Sequence, residues 1–250
     1  MSSRFTETRL VFGHRGARAI AGVTNVALLA ENTLPAFALA ESAGADGIEL
    51  DVRLTRDEDV LVFHDPTLER MTAGRDRRVV AELAVAEVTA IDLDGGGRAP
   101  RLAEVLAWCK ERRLAVNVEL KHDGGHLWRL AVRTAEIARR SGADVLFSSF
   151  DPRLLAYVAV AMPRAPRAWL LHPTRRWSRP AARALARRAL LYAIHPERSQ
   201  VDRSFVRAMK ARGVRVGAWT VNDPAEAARF YDWGVDWCIT DDVARLIPRR

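Results

Sequence analysis

The chain has 250 residues, 49% of them hydrophobic and 28% charged, so it carries enough apolar material for a sizeable core and ample charge for solubility. That balance excludes collagenous and disordered classes, and with only Cys109 and Cys238 neither a disulfide framework nor a four-cysteine zinc site can be built. The formal net charge of +8 suits an anionic partner without choosing among nucleic acid, membrane headgroups and phosphorylated metabolites. Nearly all the basic residues are arginines spread along the chain; the lysines are Lys110, Lys121 and Lys210. Both cysteines lie in apolar stretches that suit buried thiols. Met1 to Leu10 lacks the apolar core of a secretion signal, and no apolar run reaches the roughly 18 residues that span a bilayer, so a cytoplasmic protein is expected.

In chain order, strand-length apolar runs fall at Leu10–Gly13, Gly47–Leu54, Ala115–Leu120, Val145–Ser148, Ala168–Leu171, Leu190–Ile194, Val214–Trp219 and Trp237–Thr240. Between them lie segments with helical apolar spacing: Leu34–Ala43 after Asn32 and Thr33 as a cap, Arg101–Arg112, Leu127–Ser141, Pro152–Ala161, Pro180–Ala189, Asp202–Arg212 and Pro224–Trp233. Eight strands alternating with helices in this length predict an α/β protein, a single closed (β/α)8 barrel forming one domain over residues 1–250. One segment breaks the alternation. Val60–His64 follows Gly47–Leu54 after only Thr55–Asp59, too short for a helical crossover, and this implies an extra antiparallel hairpin strand. A turn centred near Asp57 would bring His64 opposite Leu50 or Asp51.

Side chains alternate across a strand, so Glu49 and Asp51 share a face, and Glu119 and Lys121 share one on the next barrel strand. Two carboxylates about 4 Å apart repel by about 4 kcal/mol even at an effective dielectric constant of 20, so three converging need protons, cationic side chains or a metal. All-oxygen coordination favours one divalent cation, Mg²⁺, Ca²⁺ or Mn²⁺, over zinc. The competing reading is that these acids pair with nearby Arg and Lys at the barrel mouth. His14 and Arg15 directly follow the first strand, where barrel active sites lie, and His64 ends the hairpin. Two histidines around such a cluster make an acid and base pair, and Arg15 offers a planar fork for phosphate. His122, His126, His172 and His195 read as surface or loop residues, the alternative being that His172 or His195 reaches the mouth.

The segments His14-Arg15-Gly16-Ala17, Glu31-Asn32-Thr33, Gly44 to Val52, His64-Asp65 and Val118-Glu119-Leu120-Lys121, with the later Ser148-Ser149-Phe150, Trp219 to Asn222 and Ile239-Thr240-Asp241, together resemble the glycerophosphodiester phosphodiesterase family, smaller bacterial type. The resemblance implies metal-dependent hydrolysis of glycerophosphodiesters to sn-glycerol 3-phosphate and an alcohol. It implies Glu49, Asp51 and Glu119 as metal ligands, His14 and His64 as acid and base, Arg15 and Lys121 on the phosphate, Glu31 supporting the mouth, and Trp219 against the glycerol.

Two features depart from the family's pattern or bear on the substrate. The stretch from Ala17 to Ala30 is longer than the family's usual link, Ala30 stands where a proline is common, and Val26 to Ala30 reads either as a lipid-contacting lip or as a neutral insertion. Arg175, Arg176, Arg179, Arg183, Arg187 and Arg188 cluster around Trp177; they read as an exposed helix face or as a peripheral contact with anionic membrane. Membrane contact would favour lysophospholipids, in a lysophospholipase D reaction. A catalytically silent phosphate-binding barrel is the reading from a different class. No nucleic-acid-binding module is present, and oligomeric state is not legible.

Overall fold

The computed structural model describes residues 3–17, 29–121, 126–175, 178–186 and 191–247. The strands are β1 (Leu10–His14), β2 (Gly47–Leu54), β3 (Val60–Val62), β4 (Ala115–Leu120), β5 (Val145–Ser149), β6 (Arg167–Leu171), β7 (Ala193–Pro196), β8 (Arg215–Ala218) and β9 (Trp237–Thr240). The helices are α1 (Leu34–Ser42), α2 (Val85–Thr89), α3 (Leu102–Arg112), α4 (Leu127–Ser141), α5 (Pro152–Ala161), α6 (Ser178–Leu185), α7 (Arg203–Lys210), α8 (Pro224–Trp233) and α9 (Val243–Leu246). Every strand but β3 pairs in parallel with its neighbours, and β1 pairs with both β2 and β9, which closes the barrel. No described helix is long and apolar enough to cross a membrane.

The extra strand lies where the hairpin argument puts it. β3 pairs antiparallel with β2 through Val52 with Val62 and Leu54 with Val60, a register that continues to Leu50 opposite His64. It is shorter than the run Val60–His64, because after Val62 only the Phe63 N–H returns to the Asp51 carbonyl. The hairpin covers the upper part of β2 where β1 has ended.

Helix starts follow their caps. Thr33, Asp151, Asp202 and Asp223 each accept a backbone N–H at the start of α1, α5, α7 and α8, and three of these helices carry proline in the first turn. Thr33 alone makes the α1 cap bond; Asn32 is used elsewhere. Neither α2 nor α9 was expected, since five and four residues are too few to show a helical period.

β7 differs most from the expectation. The apolar run Leu190–Ile194 suggests the strand, yet the strand is Ala193–Pro196 and carries His195 into the barrel. Against the expected surface position, His195 is fully buried. Burial pushes its pKa down to about 3, so the ring is neutral there. Its Nε2 accepts the indole N–H of Trp237 at 3.2 Å.

Stepping one residue per strand around the ring returns to the starting residue, so inward side chains stack in layers. From the floor upward these are Gly47, Leu146, Ala193 and Trp237; Phe12, Asn117, Ala168 and Gly217; Glu49, Ser148, His195 and Ile239; then His14, Glu119, Leu170 and Trp219. The lowest layer is apolar, Asn117 is the one polar member of the next, and polarity rises toward the mouth. Gly217 is required by this packing, since a Cβ there would lie 1.9 Å from the Trp237 indole nitrogen. The floor is sealed from below by Phe5, which stacks on Phe12 at 5.5 Å and meets Trp237 edge-on at 5.8 Å. The outward faces of β2 and β4, with Ile48, Leu50, Val116 and Val118, pack against Phe37, Leu102, Val105 and Leu130 of the surrounding helices.

Candidate active site

The polar layers open at the C-terminal strand ends into a cavity of about 220 Å³. One side is charged, with His14, Arg15, Glu49, His64, Glu119 and Lys121. The other is apolar and aromatic, with Phe150, Leu170, Trp219 and Ile239 together with His172. All nine residues singled out from the sequence are described: seven line this cavity, and Asp51 lies against Arg15 and Lys121, which do. The ninth, Glu31, is buried behind Arg15.

One carboxylate oxygen from each of Glu49, Asp51 and Glu119 lies within 4.8 Å of the others, and all three residues are buried. The charges around them are not equivalent. Lys121 Nζ reaches Glu119 Oε1 at 2.5 Å and Asp51 Oδ1 at 2.9 Å, and Arg15 Nε lies 3.2 Å from Asp51 Oδ2. Burial raises the Asp51 pKa, but Lys121 and Arg15 outweigh it and hold the carboxyl well below the usual carboxylate range. Glu49 lacks such a partner: burial, then the charge of Asp51, pushes its pKa up to about 8. Burial likewise raises Glu119 despite Lys121. The trio therefore does not hold three charges with its own cations alone. An all-oxygen, buried, converging donor set with surplus negative charge fits a hard divalent cation. Pairing with Arg and Lys, the competing reading of the sequence, is present at Asp51 and Glu119.

Asn32, expected as a helix cap, instead holds Asp51. Its Nδ2 donates to Asp51 Oδ2 at 2.8 Å and its Oδ1 accepts the Asp51 N–H at 3.2 Å. The turn after β1 makes this possible: Gly16 sits at φ 91°, where a Cβ would meet the Ala36 carbonyl carbon at 2.6 Å. In that turn the Arg15 N–H donates to Glu49 Oε2 at 3.0 Å, and Arg15 Nη1 donates to Glu31 Oε1 at 2.8 Å.

Each mouth histidine has a carboxylate on Nδ1. His14 Nδ1 is 2.7 Å from Asp241 Oδ1, whose other oxygen accepts from Asn222 Nδ2 at 2.8 Å. His64 Nδ1 is 2.6 Å from Asp65 Oδ1, and Arg70 donates to both Asp65 and Glu31. A carboxylate only accepts, so each Nδ1 carries the proton and Nε2 is left for chemistry. His14 Nε2 lies 4.0 Å from Glu49 Oε2. Burial disfavours the charged form of both rings. For His14 the Asp241 hydrogen bond and Glu49 prevail and its pKa is raised; for His64 burial, with Lys121 and Arg15, prevails over Asp51 and its pKa is lowered.

Trp219 is held by donating its indole N–H to the His195 carbonyl at 2.9 Å, and Phe150 meets it edge-on at 5.5 Å. His172 tilts against Trp219 at 6.1 Å, so the expected loop residue forms part of the cavity wall. His126 is exposed in a neighbouring groove, as expected, and His122 lies outside the described residues. Asp65 and Asp241 could have been found from their adjacency to His64 and their place at the end of β9. Asn117 and His172 carried no signal beyond inward strand parity, and Phe150 only its place in the segment Ser148-Ser149-Phe150.

In the described part of the basic segment, Arg175 and Arg183 are exposed and Arg179 is half-buried. Arg179 pairs with Asp202 and lies over Phe205 with Arg183, while Arg175 donates to the Phe150 carbonyl. Arg176, Trp177, Arg187 and Arg188 lie outside the described residues, as do Val26 to Leu28 of the stretch read as a lip or a neutral insertion.

Residues 14–245, nearly the whole barrel and every residue of this site, match the model of the glycerophosphoryl diester phosphodiesterase family. The chain belongs to that family. It is therefore a phosphoric diester hydrolase by descent, of a family whose members depend on a divalent metal. A glycerophosphodiester phosphodiesterase of Caldanaerobacter subterraneus subsp. tengcongensis is 31% identical over 95% of this chain and 96% of its own. A phosphodiesterase of Oleispira antarctica, solved in complex with the product sn-glycerol-3-phosphate, is 25% identical with a TM-score of 0.83, covering 98% of both chains. A glycerophosphodiester phosphodiesterase of Thermotoga maritima is 28% identical with a TM-score of 0.76, covering 94% of this chain and 96% of that one.

Proposed function

We propose that this chain hydrolyses glycerophosphodiesters to sn-glycerol 3-phosphate and an alcohol, using His14 and His64 as the acid and base. The observation that carries the reading is the convergence of two Asp-held imidazoles, a buried carboxylate trio and two cations on one cavity of about 220 Å³. Glu49, Asp51 and Glu119 are the ligands proposed for Mg²⁺ or Ca²⁺, with Mn²⁺ also suited to the oxygen set. When bound, the cation supplies charge stabilisation at the phosphate and a lowered pKa for a hydroxyl nucleophile.

The residues divide the remaining work. Arg15 and Lys121 present N–H groups at the rim, where the phosphate oxygens carry negative charge. Arg70 and Glu31 hold the Arg15 fork from behind. One imidazole Nε2 takes the proton of the attacking hydroxyl as its oxygen bonds to phosphorus. The other gives its proton to the departing alkoxide as the second phosphorus–oxygen bond breaks, so protons balance over the step. The opposite directions in which the two rings are biased suit such a pair. Trp219 and Phe150 offer an apolar wall to the glycerol carbons.

The test is release of sn-glycerol 3-phosphate from a panel of glycerophosphodiesters and lysophospholipids by protein stripped with EDTA and resupplied with Mg²⁺, Ca²⁺ or Mn²⁺. Metal-restored turnover of a soluble diester is expected. Turnover of lysophospholipids alone would refute the substrate assignment, and turnover unaffected by EDTA would refute the role of the trio.

A further inference from the structure

Asn117 lies on β4 opposite Glu49 of β2, two residues before Glu119 and on the same face of the strand. Its side chain is 2% exposed and lines the floor of the active-site cavity, yet neither its Nδ2 nor its Oδ1 has a hydrogen-bond partner. Nearby, in the next layer up, Ser148 Oγ and His195 Nδ1 are also buried without partners. The His195 tautomer follows from Trp237: the indole only donates, so Nε2 is the acceptor and Nδ1 bears the proton. Leaving such groups unpaired costs stability, and an aliphatic side chain would pack this level of the barrel without that cost.

The orphan amide has a definite chemical complement. It offers both donors and an acceptor, which match a hydroxyl, whereas the phosphate oxygens of a diester only accept and are served by Arg15 and Lys121 at the rim. The alcohol that departs must leave outward and varies in size, so the half of the substrate that reaches the floor is the constant one. Ile239, one layer above, and Leu170 at the mouth line the same cavity as an apolar surface for its carbons.

We infer that Asn117 binds a hydroxyl of the substrate's glycerol half and selects glycerol over unhydroxylated phosphate esters. This deepens the function proposed above and rests on it. A pocket that hydrogen-bonds a substrate hydroxyl discriminates strongly against the analogue lacking it, because the pocket's own polar group is left unpaired.

The experiment is calorimetric binding, with Mg²⁺ present, of sn-glycerol 3-phosphate and of propyl phosphate to wild type, Asn117→Ala and Asn117→Ser, with melting curves of each. Wild type is expected to favour sn-glycerol 3-phosphate by about tenfold or more. Asn117→Ala should lose most of that preference while its affinity for propyl phosphate stays within about threefold, and Asn117→Ser should recover part of the preference. The melting midpoint of Asn117→Ala should not fall, since an unpaired amide is being removed. A preference that survives in Asn117→Ala, or an equal loss for both ligands, would overturn the inference. So would a lowered midpoint with binding intact, the mark of a structural amide. Should Asn117→Ala not fold, Asn117→Ser carries the same comparison. Failure of the proposed function would show in the wild type itself, as no preference for the glycerol ester and no diester turnover.

Discussion

Removing one charge from the acid trio should make the metal-free protein more stable. The three carboxylates place oxygens within 4.8 Å of one another. At that spacing and an effective dielectric constant of about 20, a pair of charges repels by about 3 kcal/mol. Glu49 bears the consequence, its pKa rising from 4.5 to about 8 through burial and then Asp51. The folded state thus binds this proton more tightly than the unfolded state. The stability it contributes is full below pH 4.5 and is lost as the pH rises toward 8, a loss of about 3 kcal/mol by pH 7. Glu49→Gln keeps the shape and an oxygen for the Arg15 N–H but carries no charge. In EDTA at pH 7 it should melt about 6 °C above wild type, given the unfolding entropy of a chain this long. At about pH 3.5, below the unfolded value, Glu49 is largely protonated in either state and the gap should close. Mg²⁺ or Ca²⁺ should then raise the wild-type midpoint and leave the variant's unchanged. A Glu49→Gln protein that melts at or below wild type in EDTA at pH 7, or a gap that persists undiminished at about pH 3.5, would refute the reasoning.

His14→Ala and His64→Ala should each lower turnover by about 10²–10⁴ with far-ultraviolet circular dichroism unchanged, and near-normal activity in either would remove it from the acid and base scheme. His195 has its pKa depressed by burial to about 3, so below pH 6.5 the unfolded chain takes a proton that the folded chain refuses. Stability should fall by about 1.4 kcal/mol per pH unit from this residue between pH 6.5 and 3, and urea titrations of His195→Gln should show a shallower acid slope. Phe5→Ala opens the barrel floor beneath Phe12 and Trp237 and should cost about 3–5 kcal/mol in urea unfolding, while turnover at the far end of the barrel holds.

Much of the architecture is local in origin and so could be read before any coordinates. Period-two apolar runs mark β2 and β4 because their outward faces must be covered by helices, and the same alternation places Glu49 with Asp51 and Glu119 with Lys121. The five-residue gap before Val60 forbids a crossover, which is enough to infer the hairpin and the return of His64. β7 resisted because its apolar run precedes the strand, and the residue that enters the barrel is a histidine whose burial depends on Trp237, 42 residues further along.

What the chain order could not decide is which groups hold one another across the barrel. Asp241 on His14, Arg70 bridging Asp65 to Glu31, and Asn32 on Asp51 join residues from up to 227 positions apart. Side-chain parity along a strand is a property of the backbone and is written in spacing. The neighbour across the ring is set by closure and stagger, which exist only once all eight strands have met.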